Sequence, residues 1–390
     1  MKNKNPLKKA IQIGAGNIGR GFLAQLFTHS GYEVVFVDID ERLISALNKN
    51  KSYTIQVIGN SLKKIIINNV RAVNIKEKHT AIDEILNADI MAVAVGVNAL
   101  EKVAPLIAAG IKLRFEQNIQ KPMNIIICEN LLNAGKVLKG YIKRHCDCFQ
   151  YIDNKIGFVE SVVSRMIPVV PEEIRKNDPT LIRVEEYCIL PVDKKGFKGE
   201  IPSVEGMIPY DNLKAYEEQK LFIHNLGHSS FAYFGYLKEY KYIWQAVEDK
   251  EINGRVRDIL NESGTALIKK HGFTEKEMQE HIEDLFKRFA NKSLGDTVYR
   301  VGREPIRKLG INDRFIGGAK LVLEYGIEPE NICTGIAAAL CYDYPEDEQA
   351  VKLSSLLKDN KIDEIIKKIC QIDPESKLGR LIVNKYTDLI

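Results

Sequence analysis

The stretch from Ala10 to Asp38 constrains the fold more than any other part of the chain. It reads A-I-Q-I, G-A-G-N-I-G, R-G-F-L-A-Q-L-F-T-H-S, a glycine at 31, and then E-V-V-F-V-D. The apolar run Ala10–Ile13 predicts a short buried strand. Arg20 to Ser30 predicts a helix, and Glu33 to Val37 a second strand closing on Asp38. A strand, a G-x-G-x-x-G turn, a helix, a strand and an acid in this order form the first half of a dinucleotide-binding βαβ unit. Gly14 permits the tight turn, Gly16 lets backbone approach a pyrophosphate, and Gly19 lets helix and strand pack closely. The helix start offers free N–H groups and the positive end of the dipole to phosphate. Gly14, Ala15, Gly16, Asn17, Ile18 and Gly19 are therefore candidate cofactor contacts. Asp38 is placed to accept hydrogen bonds from an adenosine ribose. A 2′-phosphate there would meet like charge, and Ile39 and Asp40 supply no cation, so NAD is expected over NADP.

The following segments continue the pattern. Glu41 to Asn48 reads as a helix, residues 53–58 and 62–67 as a hairpin around Gly59-Asn60, and Ala81 to Leu86 as a helix. Ile90 to Val95 is continuously apolar, as a central parallel strand should be. Gly96-Val97-Asn98 follows at its C-terminal end, where open α/β sheets bind ligands, so Asn98 is a candidate cofactor contact. Asn98 to Ile107 reads as a helix. Asn124 to Cys128 is another buried strand ending in Glu129-Asn130; these two either face the cofactor, with Asn130 the candidate contact, or cap the helix expected from Leu131. Arg183 to Leu190 reads as a strand. Pro191, Gly196, Gly199, Pro202 and Gly206 then mark a linker. Beyond residue 210 the pattern is mostly helical, with Thr274 and Glu277 as a capping box. The expectation is an α/β chain: a doubly wound domain over residues 1–195 and a mainly α-helical domain over 196–390.

Composition removes several classes. The 390 residues carry 56 basic and 52 acidic side chains, too balanced to argue for nucleic acid or a membrane surface. Lys2, Lys4, Lys8 and Lys9 read as a solvated tail. No run approaches the roughly 18 apolar residues that a membrane helix needs. Seven cysteines without a paired framework, and no export signal, point to a reducing cytoplasm. His145, Cys146 and Cys148 match no standard zinc spacing, and no H-E-x-x-H occurs, so no metal is expected.

A second stretch carries the chemistry. Lys220 to His228 reads K-L-F-I-H-N-L-G-H. On an α-helix, at about 100° per residue, Asn225 falls about 140° and His228 about 80° from Lys220, so the three share one broad face. A lysine can exchange a proton with an alcohol or a carbonyl oxygen, while an amide and an imidazole N–H hold that oxygen. His224, about 40° from Lys220, fits the same face. Spacing alone leaves the choice between the two histidines open, and also allows a merely polar helix face. Farther on, Val301 to Lys320 crowds Arg303, Arg307, Lys308 and Arg314 around a short helix that Pro305 starts and Gly310 stops. Such cations suit a phosphate or carboxylate, unless Glu304 and Asp313 neutralise them.

Five separated motifs then agree in order: K-K-A-I-Q-I-G-A-G-N-I-G-R-G-F at the N-terminus, C-E-N at 128–130, S-x-x-S-R at 161–165, K-x-x-x-x-N-x-x-H at 220–228, and G-R-E-P-I-R-K-L-G-x-N-D-R at 302–314. Together they resemble the polyol-specific long-chain dehydrogenases over nearly the whole chain. The resemblance implies a Rossmann-type domain and NAD as cofactor. It implies Lys220 as general acid/base, with Asn225 and His228, rather than His224, at the substrate oxygen. It also implies reversible hydride transfer to a ketose phosphate, its phosphate held by part of the basic cluster. Relatives often carry Asp where Ser164 stands, so Ser164 receives no role. Oxidation of an unphosphorylated polyol or a hexuronate, or cofactor sensing without chemistry, are the alternatives.

Overall fold

A computed structural model describes residues 7–59, 62–131, 133–168 and 170–390. The expected turn at Asn60 and the tail lysines Lys2 and Lys4 lie outside the described residues. The chain forms two compact units, Met1–Leu213 and Lys214–Ile390.

The first unit is built on six parallel strands: β1 (Lys8–Ile13), β2 (Tyr32–Asp38), β3 (Val70–Asn74), β4 (Ile90–Val93), β5 (Met123–Ile127) and β6 (Ile156–Glu160). Their order is β3-β2-β1-β4-β5-β6, the doubly wound arrangement whose ligand crevice lies where the order reverses, between β1 and β4. Alternation of side chains feeds two cores. Val34 and Phe36 pack into one face, and Val35 and Val37 into the other. Both faces are covered, which is why these strands are apolar throughout rather than alternating. Lys8 and Lys9 are not tail residues: they open β1, and Lys9 Nζ donates to Glu84 at 2.7 Å.

Residues 52–57 and 63–68 form the expected antiparallel hairpin, joined by Ile182–Val184. The single strand expected over 183–190 is instead two short ones, Ile182–Val184 and Leu190–Asp193. The Arg165 guanidinium donates to the carbonyl oxygen of Glu185 at 2.9 Å, where a strand ladder would otherwise continue. The Gly/Pro-rich stretch that follows is not a free linker. Asn124 exchanges hydrogen bonds with the Lys198 backbone, and Leu190–Asp193 pairs with Met207–Tyr210.

The second unit is helical and wraps around the helix Leu226–Leu237. Its sequence, L-G-H-S-S-F-A-Y-F-G-Y-L, is apolar on all sides, as a central helix must be. Helices Ile243–Glu248, Lys250–His271, Val298–Gly302 and Glu330–Leu340 pack against it. Thr274 and Glu277 form the expected capping box. Among the described residues, no helix is long and apolar enough to cross a membrane.

Candidate active site

In the first unit the glycine turn sits at the C-terminal end of β1. Gly14 has φ +91°, and a Cβ there would lie 2.4 Å from the Ala94 carbonyl oxygen, so only glycine fits. A Cβ on Gly19 would lie 2.2 Å from Gly14 O. Gly16 is different: a Cβ there would meet nothing within 4 Å. Gly16 and Asn17 are exposed, Ile18 is half-buried and Ala15 is buried. The open space over Gly16 is what backbone approach by a pyrophosphate requires.

The helix after the turn begins as a π-turn, Gly19–Leu23, before becoming α-helical over Ala24–His29. Asp38 ends β2 and turns inward to the loop: Oδ2 accepts from the Ala15 N–H at 2.6 Å, and Oδ1 from the Ile39 N–H at 2.7 Å and the Asp40 N–H at 3.0 Å. Two supports were not anticipated from sequence. Buried Gln12 donates its amide to Gly14 O at 3.1 Å, and Arg20 Nε donates to Ala15 O at 2.6 Å. The visible signals were a polar residue inside an apolar strand and a cation directly after the last glycine.

Asn98 is exposed in the first turn of the helix Val97–Glu116, and Asn130 is exposed just beyond β5. Glu129 neither faces open solvent nor caps the following helix. Its Oε1 accepts from the N–H groups of Val95 and Gly96, at 2.7 and 2.9 Å, tying the end of β5 to the loop after β4. Burial raises the pKa of that carboxyl. Cys146 and Cys148 pair with each other, against the expectation of no paired framework among the seven cysteines.

In the second unit the signature helix is not α-helical throughout. Leu213–Gln219 is α, Lys220–Asn225 is a π-turn, and Leu226–Leu237 is α again. The Leu226 N–H reaches back to Leu221 O, five residues away. This i→i+5 winding is looser than an α-helix. The five-residue step from Lys220 to Asn225 thus closes much nearer to one full turn than the α-helical wheel predicts. Lys220, Asn225 and His228 are all half-buried, while His224 is buried.

His224 and His228 differ in surroundings. Burial, with Arg288 and His228 nearby, pushes the His224 imidazole well below its ordinary pKa. His228 Nε2 lies 2.9 Å from Asp296 Oδ2, and the His228 ring stacks on Phe289 at 4.6 Å and 7°. Burial lowers the His228 pKa despite the opposing pull of Asp296. The Asn225 carboxamide makes no hydrogen bond among the described residues, whereas its carbonyl oxygen accepts from Arg314 Nη1 at 3.4 Å.

The basic cluster divides. Arg314 pairs with Asp313 at 2.8 Å and also donates to Ser229 Oγ at 3.2 Å, beside the signature helix. Arg307 is exposed and pairs with Glu304 at 2.8 Å and Asp313 at 3.3 Å. Arg303 is exposed and its side chain pairs with nothing among the described residues. Lys308 is buried: two of its three ammonium protons go to the carbonyl oxygens of Val301 and Arg303, and burial, reinforced by Arg314 and Arg307, pushes its pKa down to about 7. Pro305 opens the short helix Pro305–Lys308 as expected.

Comparison with known proteins agrees with both halves. Residues 8–206 match the family model described as the mannitol dehydrogenase Rossmann domain, and residues 212–389 match the mannitol dehydrogenase C-terminal domain. Mannitol-1-phosphate 5-dehydrogenases of Thermoanaerobacter pseudethanolicus and of Caldanaerobacter subterraneus subsp. tengcongensis are each 39% identical over 383 residues, covering 98% of this chain and 98% of theirs. Among solved structures, a D-sorbitol dehydrogenase in substrate-free form superposes with a TM-score of 0.81 at 17% identity, over 97% of this chain and 92% of its own. Pseudomonas fluorescens mannitol 2-dehydrogenase, in a ternary complex with NAD and D-mannitol, superposes with a TM-score of 0.74 at 16% identity, over 98% and 92%. At those identities the superpositions speak to fold alone. The two domain matches, which together span nearly the whole chain, and the near-full-length relatives establish that the chain belongs to the mannitol dehydrogenase family of oxidoreductases.

Proposed function

We propose that this protein is an NAD-dependent mannitol-1-phosphate 5-dehydrogenase of the cytoplasm, interconverting D-mannitol 1-phosphate and D-fructose 6-phosphate. The observation that carries the reading is the π-turned signature helix, which brings Lys220 and Asn225 toward one line and sets His228 one turn on. Relatives bearing that activity in their names, alike from end to end, support this choice of substrate.

The residues of the first unit fit a dinucleotide: open backbone at Gly16 for the pyrophosphate, and Asp38 for the ribose. Gly14 to Gly19, Asp38, Asn98 and Asn130 would hold it. When bound, NAD accepts or returns the hydride. Lys220 takes the hydroxyl proton in the oxidation and returns it in the reduction. Asn225 and His228 position the substrate oxygens. Arg303, Arg307 and Arg314, with Lys308 bracing their loop, hold the phosphate as charge-assisted hydrogen bonds. Lysine supplies the proton route, so no divalent metal is required.

The test is NADH oxidation with fructose 6-phosphate, fructose and fructuronate in parallel. Strong preference for fructose 6-phosphate is expected. Equal or better rates with fructose or fructuronate would move the assignment to an unphosphorylated substrate. NADH binding without turnover on any of them would make the protein a cofactor sensor.

A further inference from the structure

We propose that Asp296 is a positioning residue for His228: its carboxylate holds the imidazole in the Nε2–H tautomer, so that Nδ1 meets the substrate as a hydrogen-bond acceptor. The inference deepens the proposed function and rests on His228 facing the substrate.

The geometry is a carboxylate shared between two cations or donors. Asp296 is 6% exposed, at the end of the segment that leads into the helix Val298–Gly302. Its Oδ2 lies 2.9 Å from His228 Nε2, bent away from ideal hydrogen-bond alignment but close enough that two facing lone pairs would repel. Its Oδ1 is held by the Arg300 guanidinium. Burial would favour the neutral acid, but His228 and Arg300 outweigh it and keep the carboxyl below its ordinary range. An ionised carboxylate only accepts, so the nitrogen facing it must carry the proton. Phe289, parallel to the ring at 4.6 Å, restrains rotation that would exchange the two nitrogens.

The charged and titratable groups around the ring are Asp296, Arg300, Lys308 and His224. Asp296 favours the imidazolium, Arg300 and Lys308 oppose it, and burial decides for the neutral ring. A neutral imidazole has one N–H. With the proton on Nε2, beside Asp296, Nδ1 has only a lone pair to offer, and it makes no hydrogen bond among the described residues. His228 therefore cannot donate to the oxygen undergoing reduction. That task falls to the Asn225 carboxamide, whose two N–H groups are available. Nδ1 instead accepts from a substrate hydroxyl, which selects compounds carrying a hydroxyl beside the reacting carbon.

The full chain, labelled with ¹⁵N-histidine, reports the tautomer directly, with His228→Gln identifying the resonance. Above neutral pH, wild type should show Nε2 protonated and Nδ1 bare. Asp296→Asn can turn its amide N–H toward Nε2 and stabilise the opposite tautomer. Its kcat for fructose 6-phosphate should fall by about tenfold or more while NADH affinity is kept, the pattern of a carboxylate that sets a histidine tautomer. Asp296→Glu should recover part of the loss. In wild type, the KM for the polyol phosphate should rise as pH falls through the depressed His228 pKa, because the imidazolium loses its acceptor. Nδ1 protonated in wild type, or an Asp296→Asn enzyme with wild-type turnover, would overturn the proposal. If Asp296→Asn does not fold, the wild-type spectrum decides alone. If wild type reduces no ketose phosphate, the functional reading fails while the spectrum still decides the tautomer.

Discussion

The Ser263 hydroxyl donates to the carbonyl oxygen of Phe222 at 2.8 Å, wholly inside the second unit. Phe222 lies in the π-turn, where the loosened register needs donors from outside the helix. Arg314 does the same for the Asn225 carbonyl. The signature segment is thus braced by two residues on other elements. Ser263→Ala should remove this buried hydrogen bond, at a cost of about 0.5–1.5 kcal/mol. For a unit of this size that is a melting point lower by about 2–4 °C per kcal/mol. Differential scanning calorimetry, paired with kcat for fructose 6-phosphate, checks both consequences; an unchanged melting point and unchanged turnover would remove Ser263 from this role.

Lys220→Ala should lose about 10²- to 10⁴-fold in turnover, the usual contribution of a general acid/base. NADH affinity, measured by fluorescence titration, should stay near wild type. Small added amines should restore part of the rate. A folded variant that turns over normally would rule out the lysine.

Cofactor choice should follow Asp38. The carboxylate that accepts from Ala15 and the two following amides places negative charge where a 2′-phosphate would sit. NAD should exceed NADP in kcat/KM, and Asp38→Ser should narrow the gap while weakening the loop. Equal efficiencies in wild type would contradict this.

Phosphate recognition should separate by substrate. Each desolvated charge-assisted contact is worth about 1.5–3 kcal/mol. Alanine at Arg303, Arg307 or Arg314 should raise the KM for fructose 6-phosphate and leave that for NADH alone. Arg303 is the sharpest choice because its side chain has no ion pair to lose. If none of the three changes the preference for fructose 6-phosphate over fructose, the phosphate does not bind there.

Acid should destabilise the second unit through its buried histidines. Burial, aided by Arg288, pushes His281 down to about 4. Between that value and the ordinary 6.5 or so, the unfolded chain binds a proton that the folded one does not. Stability contributed by the neutral ring is therefore present above about pH 6.5 and lost as pH falls toward 4. The loss from this residue is on the order of 3 kcal/mol. His281→Gln should flatten the pH dependence of thermal stability in that window, and an unchanged slope would assign it elsewhere.

Much of this was legible in the sequence because it is local. The glycine turn, the apolar strands and Asp38 lie within about thirty residues, and each has a backbone reason to be where it is. The π-turn was not legible. An α-helical wheel puts Lys220, Asn225 and His228 on one broad face, with Asn225 about 140° from Lys220, and gives no sign of the closer alignment that the π-turn brings. Asp296 gave no signal either: it meets His228 only through tertiary folding. The broken strand near 185 was misread for the same reason, because Arg165 takes the Glu185 carbonyl. Arg307, Lys308 and Arg314 were visible as a cluster, but their division into paired and buried members follows from Glu304, Asp313 and the backbone carbonyls.

A π-turn is an α-helix carrying one surplus residue, so the signature segment is defined by a count as well as by a set of side chains. Deleting Leu221 would let the segment from Leu213 to Leu237 close into one continuous α-helix, a form with no shortage of hydrogen bonds. The four-residue step then left between the lysine and the asparagine would close about 40° past one full turn. Such a variant would keep its lysine, its asparagine and its histidine along one side of a competent helix. The signature K-x-x-x-x-N-x-x-H therefore keeps its side chains aligned by winding rather than by an α-helical repeat, and a single lost codon there would tighten the segment before it changed which way those residues face.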